Sequence, residues 1–325
     1  MNTETRMAYN GTRVLVLGAS GFIGRWVARR LQEAGADLFL GVRNRRLLEG
    51  GFPVGRIMEV DLLAPDKLVD LVTQCAPAVV FNLAGYGINP AERDESQARR
   101  INTDLLSQLV EAMEQIPAGR WQGQRIVHTG SALEYGVCDG DLSEETRAEP
   151  TTLYGRTKLA GTLALQARAG SAGLAAVTAR LFTVYGPGER AGRLMPSLLE
   201  AARSGEPLPL TAGMQCRDFT YVEDVVEGLL RLGWHSRVAG GIVNLATGQL
   251  TTVRQFIEIA ARVLAIPADH LQFGVLPQRQ EEMAHKPVSI RKLQALTGWT
   301  PQTGIEQGVR QTALQMAVGQ QCKSL

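Results

Sequence analysis

The chain has 325 residues, 45% of them hydrophobic, and carries 34 lysines and arginines against 32 aspartates and glutamates, a formal net charge of +2. That balance excludes a basic nucleic-acid surface or a polybasic membrane patch, and no stretch reaches the ~20 apolar residues of a membrane span. Four cysteines (Cys75, Cys138, Cys216, Cys322) without a C-x-x-C pair, and four histidines without metal-ligand spacing, indicate neither a disulfide framework nor a zinc site.

The length suits one large domain or two closely joined ones. Met1 to Gly11 is polar and lacks the apolar core of a signal peptide, so a cytoplasmic, reducing setting is expected. Arg13 to Ala19 is a short apolar run, as in a strand buried on both faces. A helix pattern follows from Phe22 to Ala34, with Ile23, Val27 and Leu31 on one stripe. Strand-like runs then lie at 37–43, 56–62, 77–85 and 124–131, with a helix predicted over 101–115. A helix over 152–170 and a strand over 174–185 complete the first half. Alternating β and α elements predict a doubly wound parallel sheet of the α/β class.

After Gly186 the pattern is less regular. Helices are predicted at 194–204, 222–234, 253–264, 290–297 and 305–318, and short strands at 208–211, 242–246 and 271–276. The reading is a Rossmann domain over about residues 1–185 and a smaller, partly interleaved substrate lobe over 186–325.

Gly18, Ser20, Gly21, Phe22, Ile23 and Gly24 join the first strand to the first helix. Glycines there allow a tight turn and bring a pyrophosphate against backbone N–H groups at a helix N-terminus. The loop therefore predicts dinucleotide binding. Where NAD-binding folds carry an acid for the ribose 2′-hydroxyl, this chain reads Gly41-Val42-Arg43-Asn44-Arg45-Arg46. Arg43 suits a 2′-phosphate, so NADP(H) is favoured over NAD(H).

Tyr154 and Lys158 are four residues apart on a predicted helix and so share one face. An ammonium beside a phenol favours phenolate, and the expectation is a tyrosine pKa lowered from about 10. Such a phenol exchanges a proton with an alcohol or carbonyl oxygen. His128 lies in an apolar run and reads as a packed strand residue rather than a base.

Glycine loop, Ser131, Tyr154 and Lys158, in this order on alternating elements, resemble the extended short-chain dehydrogenase/reductase family, in particular its nucleotide-sugar epimerase, dehydratase and reductase branch. The likeness spans about Val14 to Gly308. It implies adenine contact by Asp61 and Leu62, and cofactor contact by Leu83 and Ala84 within the Asn82-Leu83-Ala84-Gly85 segment. Asn102 matches a family asparagine on the following helix. The resemblance further implies that Ser131 hydrogen-bonds the reacting oxygen, Tyr154 transfers the proton, and Lys158 orients the nicotinamide ribose. The Arg180 to Pro187 segment resembles the family's R-x-F-N-V-Y-G-P, with Thr183 in place of the asparagine. By the same resemblance Arg217 contacts the substrate diphosphate, and Arg279 and Glu282 hold the nucleotide's phosphate or ribose. Relatives of this kind often pair as homodimers.

The dehydratases of this branch carry an acidic pair directly after the triad serine or threonine. Ala132 and Leu133 stand there and cannot move a proton, so 4,6-dehydration is discounted. The leading expectation is NADP(H)-dependent reduction of a 4-keto nucleotide sugar. The alternatives are C4 epimerisation by transient oxidation, reduction of a non-nucleotide carbonyl, and a dinucleotide sensor without turnover.

Overall fold

The computed structural model describes residues 3–48, 51–64, 66–89, 91–138, 140–235, 241–277 and 285–321. The first half runs α1 (Thr3–Tyr9), β1 (Arg13–Leu17), α2 (Phe22–Glu33), β2 (Asp37–Val42), β3 (Ile57–Glu59), α3 (Lys67–Cys75), β4 (Val79–Asn82), α4 (Glu95–Arg99), α5 (Leu105–Glu114), β5 (Ile126–Ser131), α6 (Leu153–Ala172) and β6 (Ala176–Leu181). The second half adds β7 (Thr183–Tyr185), α7 (Leu194–Ser204), β8 (Leu208–Leu210), β9 (Cys216–Tyr221), α8 (Val222–Trp234), β10 (Gly241–Leu245), β11 (Leu250–Thr252), α9 (Val253–Leu264), β12 (Leu271–Phe273), α10 (Arg291–Thr297) and α11 (Ile305–Gln321).

Seven strands form one parallel sheet in the order β3-β2-β1-β4-β5-β6-β10. Along β1, Val14 and Val16 pack in the layer of α2 and α8, while Leu15 and Leu17 pack in the layer of α3, α5 and α6. Both faces are dry, which is why the strands read as continuous apolar runs. The strand order turns back between β1 and β4. The loops after β1, β4 and β5 therefore meet at one carboxyl edge, where such sheets bind ligands.

The smaller lobe holds the sheet β11-β9-β7 and the pair β12-β8. Its core gathers Leu198 of α7, Tyr221 of β9, and Phe256 and Ile257 of α9. Two contacts tie it to α2. Trp26 Nε1 donates to the Pro187 carbonyl at 2.9 Å, and Arg30 pairs with Glu223 at 2.5 Å.

Several elements depart from the pattern, α3, β9 and β11 among them as elements it did not place. The run over 174–185 is two strands. β6 stays in the large sheet, the chain leaves it at Phe182, and β7 pairs with β9. Apolarity continues across the break because Val184 and Tyr185 enter the second core directly. The strand predicted over 242–246 is β10, which joins the large sheet beside β6. The helix predicted from Ile101 begins at Glu95 and contains a π turn over Arg100–Asp104. Finally, α1 had no forewarning in the polar N-terminal segment. It is anchored by Tyr9, which is fully buried and donates to the Leu230 carbonyl at 2.8 Å.

Candidate active site

The glycine loop is built by close approach of backbone. Gly18 has φ +75, and a Cβ there would lie 2.8 Å from the carbonyl of Leu83 and the N–H of Ala84. A Cβ on Gly24 would lie 2.2 Å from the Gly18 carbonyl oxygen. Only glycine permits both contacts. The N-cap of α2 is Gly21, and no side chain caps the helix. Its first N–H groups and the positive end of its dipole are thus left for an anion. These features fit a dinucleotide pyrophosphate at the N-terminus of a twelve-residue helix.

Arg43 follows β2 as an exposed side chain at the same edge. Asp61 and Leu62 sit in the turn just past β3, with Asp61 Oδ1 accepting from the Leu63 N–H at 2.9 Å. A carboxylate that drew no notice in the sequence stands close by. Glu59 closes β3 in register with Val42 and accepts from the Arg45 N–H at 3.4 Å.

Ser131 closes β5. Its Oγ accepts from the Leu133 N–H at 3.2 Å, and Glu134 accepts from the Ser131 N–H at 2.8 Å, a capping box for the short turn that follows. Glu134 also accepts from Arg180 Nε at 2.9 Å, with side-chain exposures of 0% and 2%. The Arg180 guanidinium lies 4.3 Å from the Tyr135 ring centroid. Arg180 of the resembled segment is therefore an internal ion-pair partner that fixes the Ser131 turn. The start of α6 presses against this turn. A Cβ on Gly155 would lie 2.3 Å from the Leu133 carbonyl oxygen, so glycine here lets the start of α6 close against the turn that follows Ser131.

Tyr154 is half-buried, and the segment at Gly87 runs over its ring. Glu92 steadies that segment by accepting from the Gly87 N–H at 2.8 Å. Burial, then the Glu134 and Glu92 carboxylates, hold the phenol above its ordinary range, and Arg193 opposes them. This corrects the sequence expectation of a lowered tyrosine pKa. A one-turn Tyr–Lys spacing says nothing about carboxylates that arrive from other elements.

Lys158 is 1% exposed. Burial lowers its pKa to about 8, against the pull of Glu134. Its Nζ lies 3.3 Å from His128 Nε2, and His128 Nδ1 lies 3.3 Å from Asn82 Nδ2. His128 does pack on its strand, fully buried, but it also touches the lysine. Asn102, in the π turn, holds the β4 loop against α6. Its amide accepts from the Tyr86 N–H at 3.0 Å and donates to the Tyr86 carbonyl at 2.8 Å and to Thr157 Oγ1 at 2.9 Å.

Tyr154, Thr183 and Arg217 line one cleft of about 1220 Å³ between the sheet's carboxyl edge and the smaller lobe. Leu133 reaches it from the Ser131 turn. Asp218, next to Arg217, points inward instead and accepts from the Thr247 and Gly248 N–H groups at 2.9 and 2.8 Å. It pins β9 to the loop after β10, so the Arg217-Asp218 pair divides between cleft and scaffold. Arg279 and Glu282 lie outside the described residues. Sequence reasoning missed Glu189 and Arg193, which also line the cleft. Their only signal was an i,i+4 pair of opposite charge just after the Y-G-P segment.

Glu189 has a 7%-exposed side chain paired with Arg193 at 3.3 Å, and its Oε2 is buried without a partner. Burial raises this carboxyl from 4.5 to about 7, and Arg193 only partly offsets it. The folded protein then binds this proton more tightly than the unfolded chain, so the group costs stability above about pH 7. That cost fades as pH falls towards the unfolded value. Glu189→Gln is expected to stabilise the protein by on the order of 3 kcal/mol at about pH 8, and to leave it unchanged near pH 4. Denaturant unfolding of both proteins at the two pH values measures this. Equal stabilisation at both pH values would contradict the assignment.

Among the described residues no group of three or more His, Cys, Asp or Glu side chains could hold a metal ion, and no helix is long and apolar enough to cross a membrane.

Comparison with known proteins bears on the family and the fold. A model of the NAD-dependent epimerase/dehydratase family matches residues 14–246. The chain is 30% identical to a dTDP-6-deoxy-L-talose 4-dehydrogenase (NAD(P)(+)) of Kitasatospora kifunensis over 92% of this chain and 94% of the relative. It is 28% identical to a probable UDP-glucuronate 4-epimerase of Rhizobium meliloti over 91% and 94%. Among solved structures, MoeE5 in complex with UDP-glucuronic acid and NAD superposes with a TM-score of 0.79 at 30% identity, over 94% of this chain and 99% of that one.

Proposed function

Because the chain belongs to the NAD-dependent epimerase/dehydratase family, we propose that it is an NAD(P)-dependent enzyme acting at C4 of a nucleotide-linked sugar, with net reduction of a 4-keto sugar as its reaction. The observation that carries this reading is that Tyr154 and Arg217 open on one cleft. One end offers a proton-transfer group, the other a guanidinium for a diphosphate. A bound dinucleotide supplies or takes the hydride. The chain's own groups do the rest. Ser131 and Tyr154 hydrogen-bond the reacting oxygen and stabilise its developing charge. Tyr154, protonated across the neutral range because its pKa is raised, gives that oxygen its proton. Lys158 holds its charge beside the phenol below pH about 8.

A second reading is C4 epimerisation by the same groups. It is favoured by the Rhizobium relative, named a probable 4-epimerase, and by the UDP-glucuronic acid and NAD complex of MoeE5. Thermal shift with UDP-, dTDP-, GDP- and CDP-sugars tests the shared premise. At least one series should stabilise the protein, and Arg217→Ala should abolish that shift. No shift with any nucleotide sugar would end both readings.

Within the NAD(P) class, NADPH is the proposed partner, supported by the exposed Arg43 at the end of β2. Glu59 works against it from the neighbouring strand. Arg43→Ala is expected to weaken NADPH about tenfold, the loss of one charge-assisted contact, and to leave NADH nearly unchanged. Cofactor fluorescence titration reads both. An equal loss for the two, or a native preference for NADH, would remove the 2′-phosphate argument.

A further inference from the structure

His285 has no part in the proton transfer described above, yet it holds the strand that carries Arg217. β11 lies along one edge of β9 at Cys216, Arg217 and Asp218. β7 lies along the other edge and, among the described residues, pairs only with Phe219, Thr220 and Tyr221. His285 takes over where β7 stops. Its backbone N–H donates to the Cys216 carbonyl at 2.9 Å, and its Nδ1 accepts from the Asp218 N–H at 3.0 Å. The two bonds fall on the residues either side of Arg217. Successive side chains of a strand point to opposite faces. Asp218 is tied inward by the Thr247 and Gly248 N–H groups, and Arg217 is turned to the cleft.

The ring itself is fixed. His285 is 7% exposed, and the Phe182 ring meets it edge-on at 5.2 Å between centroids. A backbone N–H can only donate, so Nδ1 offers its lone pair and the proton of the neutral imidazole sits on Nε2. Burial, then the Arg217 charge, lower the imidazole pKa to about 3. The ring is therefore neutral at working pH and keeps its acceptor. An imidazolium would lose that acceptor and set a second positive charge near Arg217.

We propose that His285 is a positioning residue for Arg217: through its backbone N–H and Nδ1 it clamps β9 on both sides of the arginine and fixes where the guanidinium meets the diphosphate of a nucleotide sugar. A charge-assisted contact depends on that placement. Arginine carries a long side chain with many rotamers, so a fixed strand beneath it reduces what must be ordered on binding.

The inference rests on the diphosphate reading of Arg217, so one arm of its test needs no substrate. The chain has four histidines, few enough for residue-specific labelling. Nitrogen-15 NMR of the histidine-labelled protein should show His285 as the neutral Nε2–H tautomer. His285→Phe keeps a ring against Phe182 and removes the acceptor. In it the Asp218 amide should exchange with solvent about tenfold faster, while the amides of β1 and β5 keep their protection. His285→Asn places an oxygen where Nδ1 stands and should restore the slow exchange. The second arm uses the nucleotide sugar that most raises the wild-type melting temperature. His285→Phe should raise its KM about tenfold with kcat nearly unchanged, and NADPH affinity should stay at the wild-type value. His285→Asn should recover that KM. An Nδ1–H tautomer, an unchanged Asp218 exchange rate, or equal losses in the two variants overturns the proposal, as does a parallel loss of NADPH. If no nucleotide sugar binds the wild type, the substrate reading fails, and the tautomer and the Asp218 exchange still decide the clamp. If His285→Phe does not fold, the wild-type tautomer decides alone.

Discussion

Tyr154→Phe is expected to lower turnover roughly a thousandfold, within the range that a positioned acid–base group contributes, while cofactor affinity stays close to wild type. The substitution removes one oxygen and keeps the ring that packs beneath the Gly87 segment. The helix start that carries it is fixed by groups other than the hydroxyl, namely the Thr152 cap and the Leu133–Gly155 contact. Steady-state kinetics and cofactor titration on the same preparation separate the two effects. Unchanged kcat would remove Tyr154 from the chemistry. Loss of cofactor binding in parallel would make the residue structural. The raised phenol pKa gives this prediction a pH companion. No limb from Tyr154 ionisation is expected below about pH 10, and the cleft groups shifted into the range below it are Lys158 and Glu189.

Arg180→Met is expected to destabilise the protein by about 3–5 kcal/mol, because it strands a fully buried carboxylate. Glu134 is 0% exposed and holds the Ser131 N–H with one oxygen and Arg180 with the other. Without the guanidinium it must protonate or open the turn, so the loss should shrink as pH falls. Stability should return in part in the double variant Arg180→Met with Glu134→Leu, where no charge is left buried. Urea unfolding at neutral and acidic pH reads all three proteins. An Arg180→Met protein as stable as wild type would show that the pair is dispensable and that the Ser131 turn is held by its capping box alone.

Much of this fold follows from local pattern. Apolar runs such as Val14 to Leu17 are strands buried on both faces, and their alternation with helices leaves few arrangements open. The glycine loop was legible because tight backbone contact needs glycine at Gly18 and Gly24 whatever surrounds them. The jump at Phe182 was not, because a strand that leaves one core for another stays apolar throughout. In the site, the one-turn spacing of Tyr154 and Lys158 was visible, but their electrostatics were not. Glu134, Glu92 and Arg193 come from three other segments, and burial outweighs all of them. His128 shows the same limit. Its sequence setting marks a packed strand residue, which it is, while its ring also meets Lys158 because α6 crosses β5 there. The Arg217-Asp218 pair read as one substrate motif, and the fold turns one side chain to the cleft and the other to the scaffold.

The most direct measurement of the central claim is product mass. The protein would be incubated with NADPH and a panel of 4-keto nucleotide sugars, and the products resolved by chromatography and mass spectrometry. The account predicts at least one product heavier by two hydrogens, formed with stoichiometric loss of NADPH and absent with Tyr154→Phe. A panel returned unaltered in mass and retention, together with 4-hydroxy nucleotide sugars equally unaltered in the presence of NAD, would contradict it.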